Sequence, residues 1–160
     1  MNGQNEKETI RELVPAWKKT RIKIGCVEKK VSCSETAAKV LKALIKDDPY
    51  ENFWTLFLDG QNQIIGVEKI TRGTVNQASP PMRNIFTGAL LGCATGIICG
   101  HNHPSGNTKP SDEDKQFTTS LAKTGELLGL KVLDHIIIGN APLNSPGLTS
   151  HYSFADEGLI

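Results

Sequence analysis

The stretch Thr95-Gly96-Ile97-Ile98-Cys99-Gly100-His101-Asn102-His103-Pro104-Ser105-Gly106 decides how this chain is read. Its first half, Thr95 to Cys99, is an apolar run of strand length, and the loop His101 to Pro110 follows directly. Ser111 then caps a helix whose apolar positions Phe117, Leu121, Leu127 and Leu128 lead to Gly129. Val132 to Ile138 is a further apolar strand, ended by Gly139-Asn140. Working outward, Ser34 reads as the N-cap of a first helix, with Ala37, Val40, Leu41, Leu44 and Ile45 at helical spacing until Asp47-Asp48-Pro49 stops it. Phe53 to Asp59 and Gln63 to Arg72 form a hairpin across Gly60-Gln61-Asn62, and its first strand is apolar enough to be central. A helix over Met82 to Leu91 follows Pro80-Pro81, and a loop from Ala141 to Ser150 precedes a short closing segment. The order α-β-β-α-β-α-β predicts one α/β domain, a mixed β-sheet flanked by helices in a three-layer arrangement.

Composition bounds the rest. At 160 residues, 38% apolar and 22% charged, the chain is neither disordered nor large enough for two independent cores. Its formal charge of +1 supplies no bulk attraction to nucleic acid or an anionic membrane. The excess of base is local, with Lys18, Lys19, Arg21, Lys23, Lys29 and Lys30 against Glu28 alone. That cluster reads as a solvated charged edge, or as a patch for nucleic acid or an acidic partner; no aromatic interleaving points to base stacking. Residues 1–33 are expected to be a basic segment, partly flexible or an edge strand, ahead of a domain over 34–160. The charged first fifteen residues contain no signal-peptide core, and the run from Gly88 to Gly100 is too short to span a bilayer, so the expected location is cytoplasmic, without membrane contact. Cys26, Cys33, Cys93 and Cys99 have neither the spacing of a zinc knot nor the density of a disulfide scaffold, and Cys93 and Cys99 are expected to be buried thiols.

The chemistry gathers around the histidines. His101 and His103, at i and i+2 in extended backbone, can point to the same side and offer two imidazole nitrogens to one ion. Asp114, in the first turn of the next helix, would be the third ligand. Two histidines and a carboxylate leave the fourth position of a tetrahedral zinc open to water, as in catalytic sites, and imply one zinc per chain. Each part also has a plainer reading. Ser111-x-x-Asp114 matches a capping box, His-x-His could be two loop histidines bonded to backbone, and Pro104-Ser105-Gly106 could be only a turn.

His101-x-His103-Pro104 followed by Ser111-x-x-Asp114 resembles the signature of the JAMM metalloproteases, the group that contains the zinc-dependent ubiquitin isopeptidases. Gly73-Thr74-Val75-Asn76, His101 to Gly106, Pro110-Ser111 and Leu133-Asp134-His135-Ile136-Ile137-Ile138-Gly139 resemble the bacterial RadC family more closely, from about Ser34 to the C-terminus. The resemblance implies a JAMM or cytidine-deaminase-like architecture, with zinc on His101, His103 and Asp114 and with Ser111 stabilising an oxyanion. It also implies an upstream glutamate as general base, a description that fits Glu51; Glu68, on the second hairpin strand, is the competing candidate. Many relatives read His-Pro-Arg-Glu where this chain has Pro81-Met82-Arg83-Asn84, so only Arg83 of that motif is retained. Longer relatives carry an N-terminal helix-hairpin-helix region, which this chain is expected to lack.

His135 and Asp134 occupy adjacent strand positions, so only one can face the site, and both are expected to be structural or to support it from behind. Phe53, Trp54 and Phe57 are expected in the core. The function implied is a zinc-dependent hydrolase of peptide or isopeptide bonds, acting on a protein or peptide. The alternative is a DNA-associated module or metal-dependent nuclease linked to repair.

Overall fold

A computed structural model describes residues 28–46, 48–73, 80–139 and 150–160. Among the described residues eight elements follow one another: α1 (Ser34–Ile45), β1 (Asn52–Leu58), β2 (Ile64–Arg72), α2 (Met82–Leu91), β3 (Gly96–Asn102), α3 (Asp112–Leu127), β4 (Lys131–Ile138) and β5 (His151–Ser153). The strands form one sheet in the order β2-β1-β3-β4-β5. Only β3 and β4 are parallel; the pairs β1–β2, β1–β3 and β4–β5 are antiparallel. Two helical crossovers build this mixed sheet: α2 carries the chain from β2 past β1 to β3, and α3 joins the parallel neighbours β3 and β4, while β1 and β2 form a hairpin.

Side chains alternate across the sheet, and each face builds its own core. Trp54, Leu56 and Leu58 of β1, Ile98 of β3 and Ile136 and Ile138 of β4 pack under the apolar stripe of α1, Ala37, Val40, Leu41 and Leu44. Phe53 and Phe57, Ile97 and Cys99 pack on the other face with Ile85, Phe86 and Ala89 of α2 and Phe117 and Leu121 of α3. β1 and β3 are buried along their whole length because helices cover them on both sides. Gly100 is required at the α1 contact: a Cβ there would overlap the Leu41 side chain.

Several expectations are corrected. The N-cap of α1 is Cys33, in extended backbone, and Ser34 opens the helix. The Ser34 hydroxyl is drawn into a tertiary bond instead, donating to Asp156 Oδ2 at 2.6 Å. Cys99 is buried as expected, but Cys93 is exposed. It occupies the turn from α2 to β3 with φ of 52°, where the reversal of the chain and not the apolar neighbours decides its exposure. Leu127 and Leu128 are exposed as well, because the buried stripe of α3 runs through Phe117, Thr118, Leu121 and Gly125 and the chain then turns away at Gly129. β3 continues through His101 to Asn102, so the first histidine belongs to a strand rather than to a loop. Of the basic cluster, Lys29 and Lys30 are exposed, and Lys18, Lys19, Arg21 and Lys23 lie outside the described residues, as do Cys26 and Thr74-Val75-Asn76. No helix among the described residues is long and apolar enough to cross a membrane.

Candidate metal centre

The β1–β3 register places the site. Phe53 lies opposite His101 in the antiparallel ladder, and the pleat turns both side chains to the α2/α3 face. Their rings stack with an interplanar angle of 11°. His135, opposite Cys99 in the parallel ladder, reaches the same face, while Asp134 faces away and accepts bonds from the Ser153 hydroxyl (2.6 Å) and the Ala155 amide (3.0 Å). The two neighbours thus divide as alternation predicts, with His135 behind the site and Asp134 anchoring the C-terminal turn.

Asp114 arrives from α3, and the capping reading turns out to be part of the same arrangement. Ser111 Oγ accepts from the Asp114 amide at 3.1 Å, and Asp114 Oδ2 accepts from the Ser111 amide at 2.8 Å and from its hydroxyl at 2.6 Å. This box fixes the carboxylate so that Oδ1 lies 3.2 Å from His101 Nε2 and Oδ2 lies 3.5 Å from His103 Nε2. One potential ligand atom from each of His101, His103 and Asp114 lies within 4.8 Å of the others. Beyond the histidines the backbone turns sharply, with Gly106 at φ of 77°. Gly139 lets that loop close on the end of β4, since a Cβ there would come within 2.8 Å of the Gly106 carbonyl.

The hydrogen-bond partners dictate the tautomers. His103 Nδ1 sits 2.7 Å from the Asn107 carbonyl, which can only accept, so the ring proton is on Nδ1 and Nε2 carries a lone pair. The Thr118 hydroxyl donates to the Asp114 carbonyl (2.7 Å), which leaves its oxygen to accept from His135 Nδ1 at 2.6 Å. His135 Nε2 is then an acceptor, and His101 Nδ1–H donates to it at 3.0 Å. His101 Nε2 therefore also presents a lone pair. The two Nε2 atoms face each other at 3.1 Å beside a carboxylate, a donor set that could hold a metal ion.

A proton can take the place of a metal ion at these nitrogens. With its ring protonated, His103 donates from Nε2 to the Asp114 carboxylate, which raises its pKa against its burial, with the Asn107 carbonyl and the Glu51 charge adding to the effect. Burial opposes ionisation of Asp114, but bonds from protonated His101 and His103 and from Ser111 outweigh it and hold the carboxyl well below the usual range. Burial pushes His135 far below an ordinary histidine, so it stays neutral and can serve as the acceptor just described. No sequence motif marks Thr118 or the Asn107 carbonyl. Thr118 lies one turn beyond Asp114, and that spacing was the only local signal it offered.

A cavity of about 880 Å³ opens over these groups, lined among others by Tyr50, Glu51, Ser105, Ser111, Glu113 and Phe117. Glu51 is exposed at its rim, one residue before β1, on the face shared with Phe53. Glu68 does not line the cavity; its carboxylate packs against Gly88 of α2, and burial raises its pKa. Of the two glutamates, the fold brings Glu51 to the histidines.

Comparison with known proteins agrees with this architecture. Residues 31–159 match the family described as RadC-like JAB domain. A protein of Flavobacterium johnsoniae named "UPF0758 protein" is 38% identical over 132 residues, 82% of this chain and 54% of the relative. Proteins of the same name from Porphyromonas gingivalis and Methanosarcina mazei are 37% and 35% identical, over 81% and 83% of this chain and 54% and 55% of their own lengths. The chain spans about half the length of these curated relatives. Their names state no reaction or substrate, and the cluster of His101, His103 and Asp114 could hold a metal ion. With its match over residues 31–159 and its five-stranded mixed sheet between helices, the chain belongs to the RadC-like JAB domain family.

Proposed function

We propose that this protein is a zinc-dependent hydrolase of peptide or isopeptide bonds, with one zinc per chain on His101, His103 and Asp114. The carrying observation is the pair of Nε2 lone pairs facing each other beside the Asp114 carboxylate. Nitrogen and carboxylate donors in this number suit zinc with an open position. Zinc held there supplies Lewis acidity, polarising a carbonyl and lowering the pKa of a water molecule.

The chain's own residues do the rest. Glu51, on the cavity rim, accepts a proton from the water that attacks the scissile carbonyl and returns it to the leaving amine as the C–N bond breaks. The Ser111 hydroxyl, committed to Asp114 Oδ2 at rest, turns to donate to the developing oxyanion, while the Ser111 amide keeps the carboxylate in place. His135 and Thr118 hold His101 in the tautomer that binds.

The cavity lining favours a peptide over nucleic acid. Glu51, Glu113 and Asp114 face it, and no Lys or Arg lines it among the described residues, so a phosphodiester backbone would meet carboxylates and no cation. The free thiols of Cys33, Cys93 and Cys99 fit a reducing compartment such as the cytoplasm.

The test is to challenge the zinc-loaded protein with a peptide library, isopeptide-linked conjugates and DNA. Cleavage of an amide bond that is lost in Glu51→Gln and in His103→Ala supports the reading. Cleavage of DNA alone would replace it with the nuclease reading.

A further inference from the structure

Backbone pairing between β1 and β3 ends at Phe53 opposite His101. Continued in the same register, the next positions would set Asn52 against Asn102 and Glu51 against His103. At that step a side chain takes over from the backbone: Asn52 N–H donates to Asn102 Oδ1 at 2.8 Å. The other end of the same amide, Asn102 Nδ2, donates to the Tyr50 carbonyl at 3.1 Å. Asn52 Nδ2 donates to that carbonyl too, at 2.8 Å. Asn102 is 1% exposed and Asn52 is fully buried, so these bonds are not traded for water. The two groups that Asn102 holds, the Tyr50 carbonyl and the Asn52 amide, flank Glu51 on either side. Asn102 itself stands between His101 and His103 in the sequence, with its side chain on the opposite face of the sheet.

We propose that Asn102 is a positioning residue, whose side-chain amide carries the β1–β3 ladder one step past its last backbone pair and so sets Glu51 opposite His103. The inference rests on Glu51 being the general base. A primary amide is suited to the task because it accepts and donates at once, and the two backbone groups it meets are one donor and one acceptor. Aspartate at this position could accept from Asn52 but would turn a carboxylate oxygen toward the Tyr50 carbonyl. Alanine would leave the Asn52 amide without this partner and the Tyr50 carbonyl with the Asn52 side-chain amide in place of two donors.

The experiment compares Asn102→Ala, Asn102→Asp and Glu51→Gln, singly and with Glu51→Gln combined with each. It reads amide hydrogen exchange at Asn52 and the visible spectrum of the Co(II)-loaded protein. Asn102→Ala should cut protection of the Asn52 amide by about tenfold, the loss of roughly one hydrogen bond. Asn102→Asp should keep most of that protection. Both should change the Co(II) spectrum in the direction Glu51→Gln changes it, and neither should add to the change in the Glu51→Gln background, because their effect passes through that carboxylate. Should Asn102→Ala fail to fold, Asn102→Asp carries the same comparison. Unchanged protection in Asn102→Ala would remove the clasp. Additive spectral changes would move the action of Asn102 onto the histidines and overturn the proposal. If Glu51→Gln leaves the Co(II) spectrum untouched, the base assignment falls and the proposal with it, and exchange at Asn52 shows separately whether the clasp exists.

Discussion

His101 and His103 turn their Nε2 atoms to 3.1 Å from each other while each gives its Nδ1 proton to a different acceptor, His135 for one and the Asn107 carbonyl for the other. Two unprotonated nitrogens at that distance repel unless a proton or a metal ion lies between them, and the nearby Asp114 carboxylate attracts either. The first consequence concerns metal content. The protein should take up about one zinc per chain. Asp114→Asn and His103→Ala should lose it, and a chelator should remove it without unfolding the domain, because the two apolar faces of the sheet supply the core. Atomic absorption and a thermal melt on the same samples check this; undiminished zinc in both variants would sink the ligand assignment.

The second prediction separates the two glutamates. Glu51→Gln keeps the shape of the side chain but cannot take a proton, so zinc content and folding should survive while hydrolysis of a cleaved peptide falls by roughly a hundredfold to ten-thousandfold. Glu68→Gln, whose carboxylate packs against Gly88 away from the cavity, should leave turnover nearly intact. The reverse pattern would transfer the base to Glu68.

Thr118 offers a third. Thr118→Val keeps the volume but removes both the donor to the Asp114 carbonyl and the acceptor for His135 Nδ1. Zinc affinity measured by chelator competition should drop by about tenfold to a hundredfold, and Thr118→Ser should restore most of it. An affinity equal to the parent's in Thr118→Val would show that the His135 relay does not set the His101 tautomer.

The fourth prediction follows the thiols. Burial pushes the Cys99 thiol up to about 12, whereas a hydrogen bond from Thr36 at the start of α1 lowers that of exposed Cys33. Raised means protonated and lowered means more thiolate at any pH near 8. In the native protein an alkylating reagent at that pH should therefore modify Cys33 readily and leave Cys99 untouched until denaturant is added, as peptide mass mapping would report. Native labelling of Cys99 would mean that the α2/α3 core opens more readily than its packing suggests.

Local chemistry made a good part of this protein legible from its residues alone. The span of α2, the hairpin, the cap at Ser111 and the two apolar strands around α3 all follow from short-range periodicity, turn residues and capping, which act within a few positions. So does the common direction of His101 and His103, since residues two apart in extended backbone share a face. The tertiary structure decided what depends on which distant segments meet. The β1–β3 register brings Glu51, and not Glu68, to the histidines, and it puts Asn102 in contact with the two groups that flank Glu51. The α3–β4 packing places Thr118 and His135 behind His101, a relation between residues 17 and 34 positions apart that no local spacing encodes. The exposure of Cys93 and Leu127 was decided in the same way, because apolar character sets a preference for burial and only the packed elements determine which side chains they cover.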